Sequence, residues 1–161
     1  MAEARGEQMR QTAYTFCQTF AAGVSGRDCL DKFFIQQPRI KEHGPFWATD
    51  RLPFLAHVFS GRRVGNDGDG KTCDDYYDLL MSVLAVEPDS LLIPPKESFA
   101  VDAELGIVTV KLHAKFRSIK TGKAWEEDFV YVLSDFDDDG KYIGFQQLWA
   151  DPLSAWVAVG E

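Results

Sequence analysis

Glu127 is the residue in this chain whose placement most needs a chemical explanation. It stands in Trp125-Glu126-Glu127-Asp128-Phe129-Val130-Tyr131. Strand alternation there puts Trp125, Glu127, Phe129 and Tyr131 on one side, a single acid in an apolar row. An unpaired carboxylate is costly to bury, so Glu127 must sit at a wet rim, pair with a cation, or hold its proton unusually tightly and exchange it with a substrate. A second group of ionisable residues, Arg39, Glu42 and His43, follows the second amphipathic segment. An Arg could pair with Glu127 or polarise a substrate oxygen, while Glu or His moves a proton. The residue types alone equally allow a buried Arg–Glu bridge without catalysis.

The elements that must present Glu127 are hairpins. Lys120-Thr121-Gly122-Lys123 predicts a two-residue loop in which Gly supplies the positive φ. In that register Lys115 opposes Asp128 and Arg117 opposes Glu126 on one face. Leu112, Ala114 and Phe116 then join the row of Glu127 on the other. The next turn, Asp137-Asp138-Asp139-Gly140-Lys141, closes in either of two ways that differ by one residue. A three-residue loop ending in Gly140 turns Phe145, Gln147 and Trp149 toward Glu127, whereas a two-residue Asp-Gly loop turns Gly144, Gln146 and Leu148 there. The first is expected, because it puts the larger apolar residues on the covered face.

The chain before this sheet supplies its cover. Gln8 to Gly23 has helical spacing of Met9, Ala13, Phe16, Cys17 and Phe20, and Ser25 can cap a second helix closed by Pro38. Gln36 to Pro45 reads as an irregular strand or a loop at an edge, and a short helix is expected from Leu52 to Phe59 through Leu52, Phe54, Leu55 and Phe59. Ser60 to Lys71, rich in glycine and charge, is expected to be a mobile loop. A third helix is expected from Asp74 to Leu84, with acids near its N-terminus, and a short strand from Phe99 to Val101. Helices first and strands later is an α+β order, and 161 residues without an internal repeat make one domain, 1–161.

Composition narrows the functional classes. The formal net charge of −8 argues against a nucleic-acid partner, and 45% apolar residues is ordinary for a globular chain. No apolar run approaches the ~18 residues of a membrane span, and the first residues lack a signal-peptide order, so a cytoplasmic protein is expected. Cys17, Cys29 and Cys73 form no disulfide framework. Gly65-Asn66-Asp67-Gly68-Asp69-Gly70-Lys71-Thr72 matches P-loop spacing, but no buried strand precedes it and its acids would face phosphate, so it reads as a surface loop. Asp135 to Gly140 imitates the start of a calcium loop but has Gln146 where a bidentate Glu belongs. His43, His57 and His113 lack ligand spacing, so a metal site has little support.

Leu148-Trp149-Ala150-Asp151-Pro152-Leu153-Ser154-Ala155-Trp156 resembles the C-terminal signature of fungal SnoaL-like proteins of the NTF2-like superfamily. The resemblance extends to Glu42-His43-Gly44-Pro45, Leu52-Pro53-Phe54-Leu55, Phe59-Ser60-Gly61, Val101-Asp102-Ala103, and Thr121-Gly122-Lys123-Ala124-Trp125 with Glu127, Phe129, Tyr131 and Leu133. It implies an NTF2-like cone, a curved antiparallel sheet packed with about three helices around an apolar pocket, in a homodimer. It also implies cofactor-independent acid–base chemistry on a polyketide, meroterpenoid or alkaloid intermediate, with Arg39 and Glu127 as functional positions. The chain departs from relatives in its last strand, where Phe145 and Gln147 replace the usual His or Trp and Glu.

The resulting expectation is an isomerase or cyclase of fungal secondary metabolism. Glu127 acts as acid or base, Arg39 stabilises a developing oxyanion, and His43 assists. Trp125, Phe129, Tyr131, Phe116, Leu112, Phe145, Gln147, Trp149 and Phe54 are the expected substrate-binding residues. A dehydratase resembling scytalone dehydratase is the alternative if His113 lines the pocket, and a non-catalytic binding module is a third reading.

Overall fold

The computed structural model describes residues 1–65 and 69–160. Two helices open the chain, α1 (Ala2–Ala21) and α2 (Gly26–Phe33). The side chain of Ser25 caps α2, accepting from the Asp28 N–H at 3.1 Å. Strand β1 (Phe34–His43) follows at once, so the segment expected to be an irregular strand or a loop is a strand with an irregular ladder, and it lies between two other strands of the sheet rather than at an edge. Pro38 is tolerated because the ladder is irregular there, between Phe34 and Arg39. The Pro38 carbonyl accepts from the Gly61 N–H at 2.8 Å and from Cys73 Sγ at 3.4 Å.

A 3-10 turn (Phe46–Asp50) precedes a non-helical stretch where the short helix was expected from Leu52 to Phe59, and this leads into β2 (Val58–Ser60), antiparallel to β1. The loop after β2 is pinned at both ends, by Ser60 N–H to Lys71 O at 2.8 Å and Cys73 N–H to Gly61 O at 2.9 Å. Residues 66–68 of the P-loop-like run lie outside the described residues; its last residue, Thr72, forms a capping box with Asp75 at the start of α3 (Cys73–Val83). Then come β3 (Leu84–Val86), β4 (Ala100–Asp102), β5 (Ile107–Ser118), β6 (Ala124–Ser134), β7 (Ile143–Trp149) and α4 (Pro152–Val159). Helix α4, which was not among the expected elements, starts with Asp151 as cap residue followed by proline at the first helical position.

The strands form one sheet in the order β2-β1-β7-β6-β5-β3, with β4 on β5. The expected antiparallel sheet is in fact mixed, because β1 runs parallel to β7. The fold is α+β.

Both hairpins differ from their expected registers, with different consequences. The β5–β6 loop is two residues wider than expected, so Lys115 opposes Glu126 and Phe116 opposes Trp125. A slip of two preserves the faces, and Leu112, Ala114, Phe116 and Glu127 share one side as expected. The β6–β7 register is Tyr131 with Leu148 and Leu133 with Gln146. That is the parity of the rejected alternative, so Phe145, Gln147 and Trp149 face away from Glu127. The reason lies at the base of the hairpin. Asp135 has φ +52°, and a Cβ on Gly144 would lie 2.0 Å from the Asp135 carbonyl oxygen, so only glycine fits that position.

An ion-pair cluster fastens α3 to its surroundings. The Asp74 carboxylate, 1% exposed, accepts from Arg62 at 2.8 and 3.1 Å, from Arg27 at 3.3 Å and from the Arg63 N–H at 2.9 Å. Burial alone would raise its pKa, but these donors outweigh it and hold the group at about 2. Against an ordinary value of 3.8, that is about 2 kcal/mol of stability, complete above pH 4 and lost as pH falls toward 2. Asp74→Asn should therefore lower stability in urea unfolding at pH 7 by about 2 to 4 kcal/mol. The gap between variant and wild type should narrow as pH falls from 5 to 2; a gap independent of pH would contradict this role.

Candidate active site

The inner face of the sheet and helix α3 enclose an apolar cavity of about 50 Å3. Leu80, Ala114, Phe116, Phe129 and Leu148 form much of its wall. Two carboxylic acids interrupt that wall, Glu127 from β6 and Glu42 from β1. Six residues, Phe20, Tyr77, Met81, Leu84, Val86 and Leu91, belong both to this cavity and to an outer vestibule of about 580 Å3 between the α1–α2 corner and the loop after β3. The cavity therefore opens outward through a collar of apolar side chains.

Glu42 is 7% exposed and accepts a hydrogen bond from Tyr76 Oη at 2.7 Å. Burial, partly offset by that bond and reinforced by the charge of Glu127, pushes its pKa to about 7. Glu127, half-buried, also reaches about 7, chiefly through burial. The Asp151 N–H donates to its Oε2 at 2.9 Å and opposes the rise, whereas the Asp151 carboxylate adds to it. The Trp125 N–H also favours the charged form of Glu127, from a position outside hydrogen-bonding geometry: its Nε1 is buried without a partner among the described residues.

Phenols and one amide complete the polar part. Tyr76 and Tyr77 project inward from α3, and Tyr131 from β6; burial holds all three pKa values well above 10. Tyr77 Oη donates to Gln146 Oε1 at 3.1 Å. The cavity thus presents two acids that titrate near neutrality and neutral hydroxyl and amide groups beside one of them.

Of the expected site residues, Glu127, Phe116, Phe129 and Tyr131 line the cavity. Trp125 stacks on Phe116 at 5.8 Å, Phe54 meets Tyr76 edge-on at 6.5 Å, and Leu112 is buried in the core behind the wall. The remainder require correction. Arg39 pairs β1 with Phe145, lies over that ring at 4.2 Å and forms an ion pair with Asp135 on the outer face. His43 stacks on Trp149 at 3.9 Å and donates from Nε2 to Gln147 Oε1 at 2.9 Å, also outside. Phe145, Gln147 and Trp149 follow from the parity of β7. His113 lies outside as well, 2.8 Å from Asp128. Glu42 neighbours Arg39 and His43 in the sequence, yet alternation along one strand sends it inward and them outward. Tyr76 and Gln146 carried no chemical signal in the sequence beyond helical and strand spacing.

No family model and no curated protein sequence matches the chain. Solved structures do share its fold. An NTF2-like protein from Burkholderia xenovorans LB400 superposes with TM-score 0.63 at 14% identity, over 96% of this chain and 98% of that one. A candidate SnoaL-like polyketide cyclase from Jannaschia sp. CCS1 gives 0.63 at 12% identity, over 96% and 92%. The BvnE pinacolase of Penicillium brevicompactum gives 0.59 at 16% identity, over 94% and 89%. The chain has the NTF2-like fold.

The raised carboxyls make a stability signature. A folded-state pKa of about 7 against an ordinary 4.5 means that Glu42 favours folding most below pH 4.5 and ceases to do so above 7. Between pH 4.5 and 7.5 the wild type should lose up to about 3 kcal/mol more stability than Glu42→Gln. Carboxyl-carbon NMR should show two glutamates with midpoints near 7, and Tyr76→Phe should move the Glu42 midpoint upward. Midpoints near 4.5 for both would contradict the site.

Proposed function

We propose that the protein is an isomerase or cyclase acting by acid–base chemistry, without a cofactor, on a small apolar biosynthetic intermediate of the polyketide, meroterpenoid or alkaloid kind. The observation that carries this reading is the pair of carboxyls, Glu42 and Glu127, facing one apolar cavity with pKa values both of about 7. Near neutral pH each is protonated about half the time, so one can accept a proton while the other donates. Isomerisation or ring closure needs that pair, because it removes a proton at one atom and supplies one at another, leaving the composition of the substrate unchanged.

Glu127, the more exposed acid, is assigned as the base. Glu42, bonded to Tyr76, is assigned as the acid that returns the proton to an oxygen. Arg39 and His43 then serve on the outer face, where exposed Trp149 beside them supports an interface between two copies of the chain. The last strand needs no carboxylate of its own, because β1 delivers the second one. Neighbours named as a polyketide cyclase and a pinacolase share the fold and are consistent with the reading. Dehydration is less well supported, since His113 is on the outer face against Asp128.

Incubation with candidate intermediates, followed by mass spectrometry, separates the possibilities. An isomer of unchanged mass supports the proposal, loss of water indicates dehydration, and unchanged starting material with measurable binding indicates a binding module. Glu127→Gln should keep the fold and reduce kcat by at least about 10²-fold, as should Glu42→Gln. Undiminished product formation by both variants would overturn the assignment.

A further inference from the structure

Gln146 lies in β7 between Ile40 of β1 and Leu133 of β6, is fully buried, and lines the cavity. Its Oε1 accepts from Tyr77 Oη at 3.1 Å, which orients the amide. Its Nε2 has no hydrogen-bond partner among the described residues. A buried amide donor without an acceptor is costly, and native proteins seldom keep one unless something else completes it.

The support behind Gln146 is rigid. Tyr77 packs against Tyr76 with ring centres 5.1 Å apart and against Phe20 at 6.2 Å. It also lies so close to Gly26 that a Cβ there would be 2.3 Å from the ring. The phenol therefore has little freedom to turn away, and the amide it holds is pre-oriented.

We propose that Gln146 Nε2–H donates to a carbonyl oxygen of the substrate, so that the substrate is a ketone or related carbonyl compound entering the cavity carbonyl first. Three observations converge on this. An oxygen that only accepts completes the donor without adding a hydrogen that needs a further partner. The enclosed volume of about 50 Å3 admits a narrow group such as a carbonyl and its immediate neighbours, leaving the rest of the molecule among Phe20, Met81 and Leu91 and in the vestibule. A carbonyl polarised by an N–H donor also acidifies the adjacent C–H bonds, which is what the acid–base reading above requires, and the catalytic part of the inference rests on that reading.

The test uses acetophenone, ethylbenzene and 1-phenylethanol, which share a skeleton and differ at one group. Calorimetry on the wild-type protein should show acetophenone binding about tenfold or more tightly than ethylbenzene. Gln146→Met should abolish that preference while leaving ethylbenzene affinity unchanged. The infrared carbonyl stretch of bound acetophenone should lie at lower frequency in wild type than in Gln146→Met. If that variant does not fold, the wild-type frequency compared with acetophenone in hexane decides the case. Equal affinities with an unshifted stretch would mean that the N–H serves only a buried water. Preference for the alcohol over the ketone would mean that the amide presents its oxygen, and either result overturns the proposal. Exchange of the acetophenone methyl protons for deuterium, dependent on Glu127, reports separately on the acid–base reading: its absence with the ketone preference intact would sink that reading and leave the Gln146 donor standing.

Discussion

The parallel ladder between β1 and β7 is the constraint on which the site depends. It sets Ile40 beside Gln146 and Glu42 beside Leu148, and with a side-chain period of two it decides that Glu42 enters the cavity while Arg39 and His43 leave it. A shift of one residue would exchange an acid in an apolar wall for a guanidinium and an imidazole. The phase is set at the irregular stretch around Pro38, whose carbonyl is held by Gly61 and Cys73. The residues that hold it belong to the segment after β2 and the start of α3, so the elements covering the cavity also fix which side chains line it.

Charge is divided sharply across this arrangement. Outside, opposite charges meet: Arg62 and Arg27 on Asp74, Arg63 on Asp75 and Asp78, Arg39 on Asp135, and His113 on Asp128. Inside, Glu42 meets a phenol and Glu127 a backbone N–H. A buried carboxyl with an arginine partner would stay ionised, as Asp74 does, and would be a poor proton carrier at neutral pH. Helix α3 joins the two regimes. Its first turn holds the ion-pair cluster, and the next residues, Tyr76 and Tyr77, supply the hydroxyls that order the polar end of the cavity.

What could be read from the sequence follows from which contacts are local. The face of Glu127 was legible because an error of two in the first hairpin does not change parity. The second hairpin was not. Its outcome turns on Gly144 against the Asp135 carbonyl, a contact between two chain segments that residue type does not announce. Preferring the larger apolar residues for the covered face also failed, because Phe145 is covered from outside by Arg39. Glu42 was recognisable as an ionisable residue in the right segment, but choosing it over Arg39 required the phase of a strand interrupted by proline. Tyr76 and Gln146 acquire their chemistry only through partners 34 and 69 positions away.

Asp151 has two duties that are usually separate. Its side chain accepts from the Ser154 N–H at 3.0 Å to cap α4, and its own N–H donates to Glu127. The geometry of a surface helix cap is thereby coupled to the proton affinity of an acid inside the cavity. Substitutions in α4 can retune that acid without altering any residue of the cavity wall. On the proposed reading, working pH and substrate choice are then separable traits in this chain, one adjustable from the C-terminal helix and the other from the inner face of the sheet.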